Sequence, residues 1–271
     1  MRLVNRQPER GARFLLMLLP FIVLVGVYFF GSTARLAGNP DDKLLPSASQ
    51  MVAAIHHAAL EEDGRSGEYI LWADSAASLK RLGLGLAVAA LLGLAMGTVT
   101  GVFPLARATF SPFMTALAMI PPLAVLPILF IVFGLDELSK VMLIVIGITP
   151  VLARDIEQRA REIPPEILIK AQTLGANSWT LVLRVVLPQL LSRLLLSLRL
   201  MLGSAWLFLI SAEAISATAG LGYRIFLVRR YLAMDTILPY VIWITLLAWL
   251  MDFALKGANR LLFPWSEGAR T

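Results

Sequence analysis

His56 and His57 stand side by side and are the only imidazoles in the chain. Neighbouring residues on a helix do not face one another, so this pair cannot close on one metal ion. There is no cysteine, which removes thiolate metal sites, disulfides and thiol nucleophiles. A lysine grips nucleotide phosphates at the end of a Gly-x-x-x-x-Gly-Lys-Ser/Thr loop, and none of Lys43, Lys80, Lys140, Lys170 or Lys256 is preceded by that spacing. Neither His-Glu-x-x-His nor Gly-x-Ser-x-Gly occurs, so the two common routes to hydrolysis within a membrane are missing.

What remains is charge inside apolar runs. Arg199 lies in one such run and Glu213 at its outer end, and an ionisable group at membrane depth is by default a path, gate or partner residue. They are fourteen residues apart, about 21 Å along a helix, too far to pair within it. Arg199 reads either as a path residue or as an arginine that snorkels or bridges to another helix. Glu213 reads either as an outer gate or binding-protein contact or as a group solvated at the interface. Met114, Met119 and Met201 suit either a deformable path or plain gap filling.

The elements that must hold these residues follow from composition. Of 271 residues, 58% are hydrophobic and 15% charged, with mean hydropathy +0.76; a soluble domain has about 25% charged residues. Too little polar surface exists to cover a globule in water, so the chain is a membrane protein. Its 24 Lys+Arg against 18 Asp+Glu give +6, a balance that fits anionic lipid and makes nucleic acid an unsuitable partner. A hydrocarbon layer of about 30 Å takes about 20 helical residues, and six runs qualify: residues 14–31, 82–102, 113–133, 135–153, 194–212 and 237–255. The first lacks a following small-x-small cleavage site and is read as retained. In the second, Gly83, Gly85, Gly93, Gly97 and Gly101 invite a close helix neighbour. In the third, Pro121, Pro122 and Pro127 break the run, which places it inside the bundle. In the fourth, Asp136 and Lys140 are spaced for an i,i+4 pair. Arg199 in the fifth and Asp252 in the sixth are both able to snorkel.

With the N-terminus inside, the inner segments hold 14 Lys+Arg and the outer segments nine. The stretch 32–78 adds seven acidic residues to the outer side. Both termini are therefore expected in the cytoplasm. Lys80, Arg81, Arg224, Arg229 and Arg230 run against that rule on the outer side, where they could draw anions toward a mouth or meet an acidic partner.

The segment 164–188 lies on the inner side. Pro164 and Pro165 can open a helix with Ile167, Ala171 and Leu174 on one face. Gly175 can end it in the left-handed conformation, and Asn177 or Ser178 can cap a second short helix that ends at Pro188. Taken as a pattern, this is equally a pair of amphipathic helices lying among lipid headgroups.

The residues Ala171-Gln-Thr-Leu-Gly175, nine residues, then Val185-Val-Leu187-Pro188 resemble the cytoplasmic signature of binding-protein-dependent ABC importer permeases. Ile169 and Lys170 stand where that family has Glu and Ala, and the nearest acid is Glu166. Leu45-Pro46-Ser47, Ile120-Pro-Pro-Leu123, Phe133-Gly134, Leu198 to Gly203, Ala212-Glu213 and Gly220-Leu-Gly222 further resemble the nitrate, sulfonate and taurine type.

The resemblance implies an all-α membrane protein of six transmembrane helices with cytoplasmic coupling helices, the type I importer permease fold, as one domain over 1–271. It implies a bacterial inner-membrane location, a second copy of the chain, two ABC ATPase subunits that bind ATP and Mg, and a periplasmic solute-binding protein. No cofactor belongs to this chain itself. Glu166, Ala171, Leu174, Gly175, Ala176, Leu187 and Pro188 are then the ATPase-coupling residues. Met119, Pro121, Pro122, Arg199, Ser204, Ser211 and Glu213 are assigned to the translocation path. The implied solute is a small anion such as a sulfonate, with a neutral or cationic compound as the alternative. An intramembrane enzyme lacks its motifs here, and a passive channel lacks a repeated filter sequence and needs no cytoplasmic helix pair.

Overall fold

The computed structural model describes residues 9–39, 42–64 and 67–266, and no strand occurs among them. Arg2, Arg6, Arg65 and Arg270, which enter the cation count, lie outside the described residues. The first helix, α1 (Arg10–Gly38), extends past the expected run at both ends. Its ties to the rest of the chain lie near its C-terminal end: Tyr28 Oη donates to Pro46 O at 2.7 Å and Ser32 Oγ to Leu45 O at 3.0 Å, and Arg35 pairs with Asp42. Helix α2 (Ala48–Leu60) opens with a capping box in which Ser47 and Gln50 each take the other's backbone N–H.

Helix α3 (Ile70–Val102) forms the central pair with α6 (Glu137–Arg161). The glycines permit this. A Cβ on Gly85 would lie 2.8 Å from Ile144, one on Gly93 2.9 Å from Leu152, and one on Gly97 2.5 Å from the Ala153 carbonyl. Gly101 meets Ala160 in the same way, whereas Gly83 faces open space and takes no part. In a bilayer apolar side chains gain nothing by leaving lipid, so this backbone approach and its dispersion contacts are what hold the two rods together. At 25 residues, α6 is about 37 Å long, and Leu143, Ile144, Ile148, Leu152 and Ile156 along it are buried.

Between them the third apolar run is not one rod. Helices α4 (Pro104–Met119) and α5 (Pro122–Phe133) meet at 96°. Pro121 forces Ile120 into an extended conformation, and Pro122 starts α5 at the one position where a missing N–H costs nothing. The expectation that this run lies inside the bundle is not met within one chain. Met114, Leu126 and Leu129 are buried, but Met119, Ile128, Ile131 and Val132 face outward. The expected Asp136/Lys140 pair is also absent, because Lys140 Nζ instead donates to the Leu135 and Asp136 carbonyls at 3.2 Å and reaches Glu137 at 3.5 Å.

After α7 (Pro165–Thr173) the chain turns into α8 (Ser178–Leu181), a π-helical turn (Val182–Val186) and α9 (Leu187–Ser216). The second short helix thus does not stop at Pro188. Leu187 N–H donates five residues back to Val182 O, and this widened turn receives the proline without a kink severe enough to end the helix. Ser178–Ser216 is one 39-residue rod. Helices α10 (Leu221–Arg229) and α11 (Met234–Leu262) complete the fold, packing on each other and on α9.

Candidate functional site

Helix α7 closes with a Schellman turn. Gly175 N–H donates to Gln172 O at 2.9 Å and Ala176 N–H to Ala171 O at 3.0 Å, so two of the orphan carbonyls are satisfied. Gly175 sits at φ +86°, and nothing lies within 4 Å of the place a Cβ would take. Glycine is therefore required by the backbone and not by space. Asn177 Oδ1 accepts the Thr180 N–H at 2.7 Å and starts the next helix.

Two short helices joined at a fixed corner present an apolar surface at this end of the molecule. Leu174 is 84% exposed and Trp179 70%, with Ile167 and Ile169 beside them and Glu166 and Lys170 at the margin. Of the expected coupling residues, Glu166, Leu174 and Gly175 form this surface, while Ala171 and Ala176 are half-buried and carry the turn. Leu187 and Pro188 are half-buried too, and open α9 directly after the π-helical turn.

The residues assigned to the path divide in the same manner. Met119 and Pro121 are exposed at the α4–α5 bend with Pro122 half-buried behind them. Ser204 is exposed on α9, in a stripe with Leu200, Leu207 and Ile215. Ser211 lies on that stripe, its hydroxyl donating to Leu207 O of its own helix at 2.7 Å. Arg199 is not free. Its Nε and Nη2 donate to the two oxygens of Asp252 at 2.7 and 2.8 Å, so the two charges expected to snorkel separately bridge α9 to α11.

Glu213 departs furthest from expectation. It is wholly buried, neither an open gate nor solvated at the interface, because three donors converge on it. Arg81 Nη1 reaches it at 2.6 Å, Ser78 Oγ lies 2.8 and 2.9 Å from its two oxygens, and Gly222 N–H donates at 2.9 Å. Arg81 also grips Glu137 at 2.5 and 2.8 Å and Ala219 O at 2.8 Å. Next to this cluster Asp74 accepts from Gly220 N–H and from Arg224 Nε, each at 2.8 Å. Ser78 accepts the Leu221 N–H at 2.9 Å. Three side chains from α3 and α9 thus take the N–H groups that open α10, a buried helix start fully satisfied by neighbours. Gly220, at φ +129°, is glycine for the same reason: a Cβ there would stand 2.6 Å from the Glu213 carboxylate.

Arg81 and Arg224 are consequently structural cations, which leaves Lys80, Arg229 and Arg230 of the outer set to act on anything outside. Sequence reasoning assigned a role to neither Asp74 nor Ser78, although Ser78 lies in the stretch Ser75 to Arg81 that resembles the nitrate, sulfonate and taurine type. The available signal was the excess of outer arginines itself, since cations held against the orientation rule need buried acids. His56 and His57 both approach Glu61 at 3.6 Å, and among the described residues no group of three His, Asp or Glu could hold a metal ion.

The family described as binding-protein-dependent transport system inner membrane component matches residues 89–267. The taurine transport system permease protein TauC of Escherichia coli is 35% identical over 72% of this chain and 71% of that protein. The putative aliphatic sulfonates transport permease protein SsuC of the same organism is 29% identical over 94% of each chain. Among solved structures, a chain of the inward-facing methionine ABC transporter MetNI superposes with a TM-score of 0.64 at 20% identity, over 74% of this chain and 99% of that one. The fold is thus that of an ABC importer permease.

Proposed function

Because this chain belongs to the inner membrane components of binding-protein-dependent transport systems, we propose that two copies of it form an ATP-driven import path for a small organic anion. Each copy crosses the membrane six times, with the bent α4–α5 pair and α6 counted as crossings and both termini in the cytoplasm. A separate ATPase dimer binds ATP and Mg, and a periplasmic binding protein delivers the solute.

The observation that carries this reading is the apolar corner at Leu174, Gly175 and Trp179. Large side chains left exposed on a rigid turn at the basic end of a membrane protein mark a contact surface. A groove on the ATPase suits it, and closure of two ATPase chains would then move α7 and α8 together with the continuous rod α9. A two-fold ATPase pair calls for two equivalent corners, which favours a homodimer. The stripe of α9 through Leu200, Ser204, Leu207, Ser211 and Ile215 is the face left for the path and the second copy. That the solute is an anion is supported by the named relatives for taurine and sulfonates; the outer arginines contribute less, since Arg81 and Arg224 are spent inside the fold.

The chain has no native cysteine, so Leu174→Cys gives a unique thiol. Attached to a short photo-crosslinker in the assembled importer, it should yield an adduct of permease plus ATPase mass. Adducts with lipid alone would mean that the corner lies in the headgroup layer and that the reading is wrong.

A further inference from the structure

Below the Arg199–Asp252 bridge, α6, α9 and α11 enclose a cavity of about 320 Å³ lined by Arg159, Arg193, Ser197, Arg199 and Asp252 over an apolar floor of Leu196 and Leu200. We propose that this cavity is a binding site for a tetrahedral oxyanion, with Arg193 as its principal ligand. The acids around it are already engaged. Asp252 holds Arg199 through both oxygens. Asp155 accepts from Ser197 Oγ and lies 3.6 Å from Arg159, and Glu162 takes Arg159 at 3.2 Å. Arg193 has no ion-pair or hydrogen-bond partner for its guanidinium among the described residues.

Three guanidinium groups on two helices therefore face one recess; the acids beside it are committed to Arg159 and Arg199, and Arg193 is the guanidinium left without one. A guanidinium presents its N–H groups as a fork that matches two oxygens of a phosphate or sulfonate, and Arg193 is exposed at the edge of the recess, where an incoming oxyanion can reach it. Arg154 and Arg161 on α6 and Lys256 and Arg260 on α11 belong to the helices that bound the recess, which adds to the attraction for an anion. The oxyanion is either the headgroup phosphate of an inner-leaflet phospholipid or a free anion. The site needs no assumption about the transported solute.

Both sources can be tested on the full chain assembled with its ATPase. Native mass spectrometry after exposure to phosphatidylglycerol or phosphatidylcholine reads the lipid source. Equilibrium binding of radiolabelled inorganic phosphate and of methanesulfonate, in nanodiscs of phosphatidylcholine only, reads the free source. Arg193→Gln should weaken one of these two bindings about tenfold, Arg193→Lys should weaken it less, and the exposed control Arg184→Gln should leave it unchanged. Loss of retained phosphatidylglycerol identifies a lipid site, and loss of phosphate or methanesulfonate identifies a free-anion site. If neither probe binds the wild type, or if Arg193→Gln and Arg184→Gln behave alike, the proposal is overturned. Should Arg193→Gln not assemble, the wild type decides: one bound oxyanion per chain that competes with excess phosphate or anionic lipid supports the site, and none refutes it.

Discussion

Replacing Glu213 with alanine removes the acceptor at the centre of the outer network while leaving every donor in place. Arg81 would keep Glu137 and the Ala219 carbonyl, so its charge is not stripped of partners and the loss falls at the lower end of the range for breaking a buried pair, about 3 kcal/mol. The Gly222 N–H, which donates to Glu213 at 2.9 Å, would be left without that acceptor at a buried helix start, adding about 1 kcal/mol or more. Together these come to about 4 kcal/mol, which for a chain of this size corresponds to a fall in melting midpoint of roughly 8–16 °C. Glu213→Gln keeps one acceptor oxygen but replaces the other with an amide NH2 that cannot accept from the donors there, so it should cost less than the alanine substitution without being neutral. Thermal unfolding of the purified permease in detergent measures both, and hydrogen exchange should show α10 opening first. A Glu213→Ala protein that melts within 2 °C of wild type yet fails to transport would refute the structural role and return this carboxylate to a gate; the 2 °C margin is roughly 1 kcal/mol or less.

Gly175→Val should leave expression intact and lower the melting midpoint by only about 2–8 °C, since the added side chain meets nothing and the backbone penalty is about 1–2 kcal/mol; stimulation of the partner ATPase by solute-loaded binding protein should fall at least tenfold. Gly97→Leu should abolish the folded chain, because the first added carbon would stand 2.5 Å from a backbone carbonyl on α6, and the check is the monodisperse yield on size-exclusion chromatography. A double-mutant cycle on Arg199 and Asp252 should give a coupling of about 0.5–1 kcal/mol, modest because the side chains are 24% and 39% exposed; no measurable coupling would mean the bidentate bridge is not maintained. In competition assays on the reconstituted importer, sulfonates should displace the solute while cationic amines do not, and the reverse order would defeat the anion assignment.

The parts of this protein that follow local rules were legible in the sequence. Proline opening α7, glycine closing it and Asn177 capping the next helix each act within a few residues, and all three stand where the pattern placed them. The glycine ladder of α3 was legible too, down to the need for a close neighbour, although which glycines face that neighbour depends on the helix phase and Gly83 proved to lie off it. Charge partners were not legible. Arg81 and Glu213 are 132 positions apart and Arg199 and Asp252 are 53, so nothing in their immediate surroundings announces the other half of each pair. The π-helical turn before Pro188 and the sharp bend at Pro121 were each visible as a disturbance, but a proline says where a rod is perturbed and only its packing says how. Read locally, Pro188 ended a helix; packed against its neighbours, it sits inside one.

The central claim, that the exposed corner couples this path to ATP, is tested most directly by solute uptake into proteoliposomes. These would contain this chain, its ATPase partner and a saturating binding protein, compared with vesicles that lack the ATPase. Uptake should require the ATPase together with ATP and Mg, and should stop when a non-hydrolysable analogue replaces ATP. Uptake that persists without a nucleotide-binding partner would contradict the account.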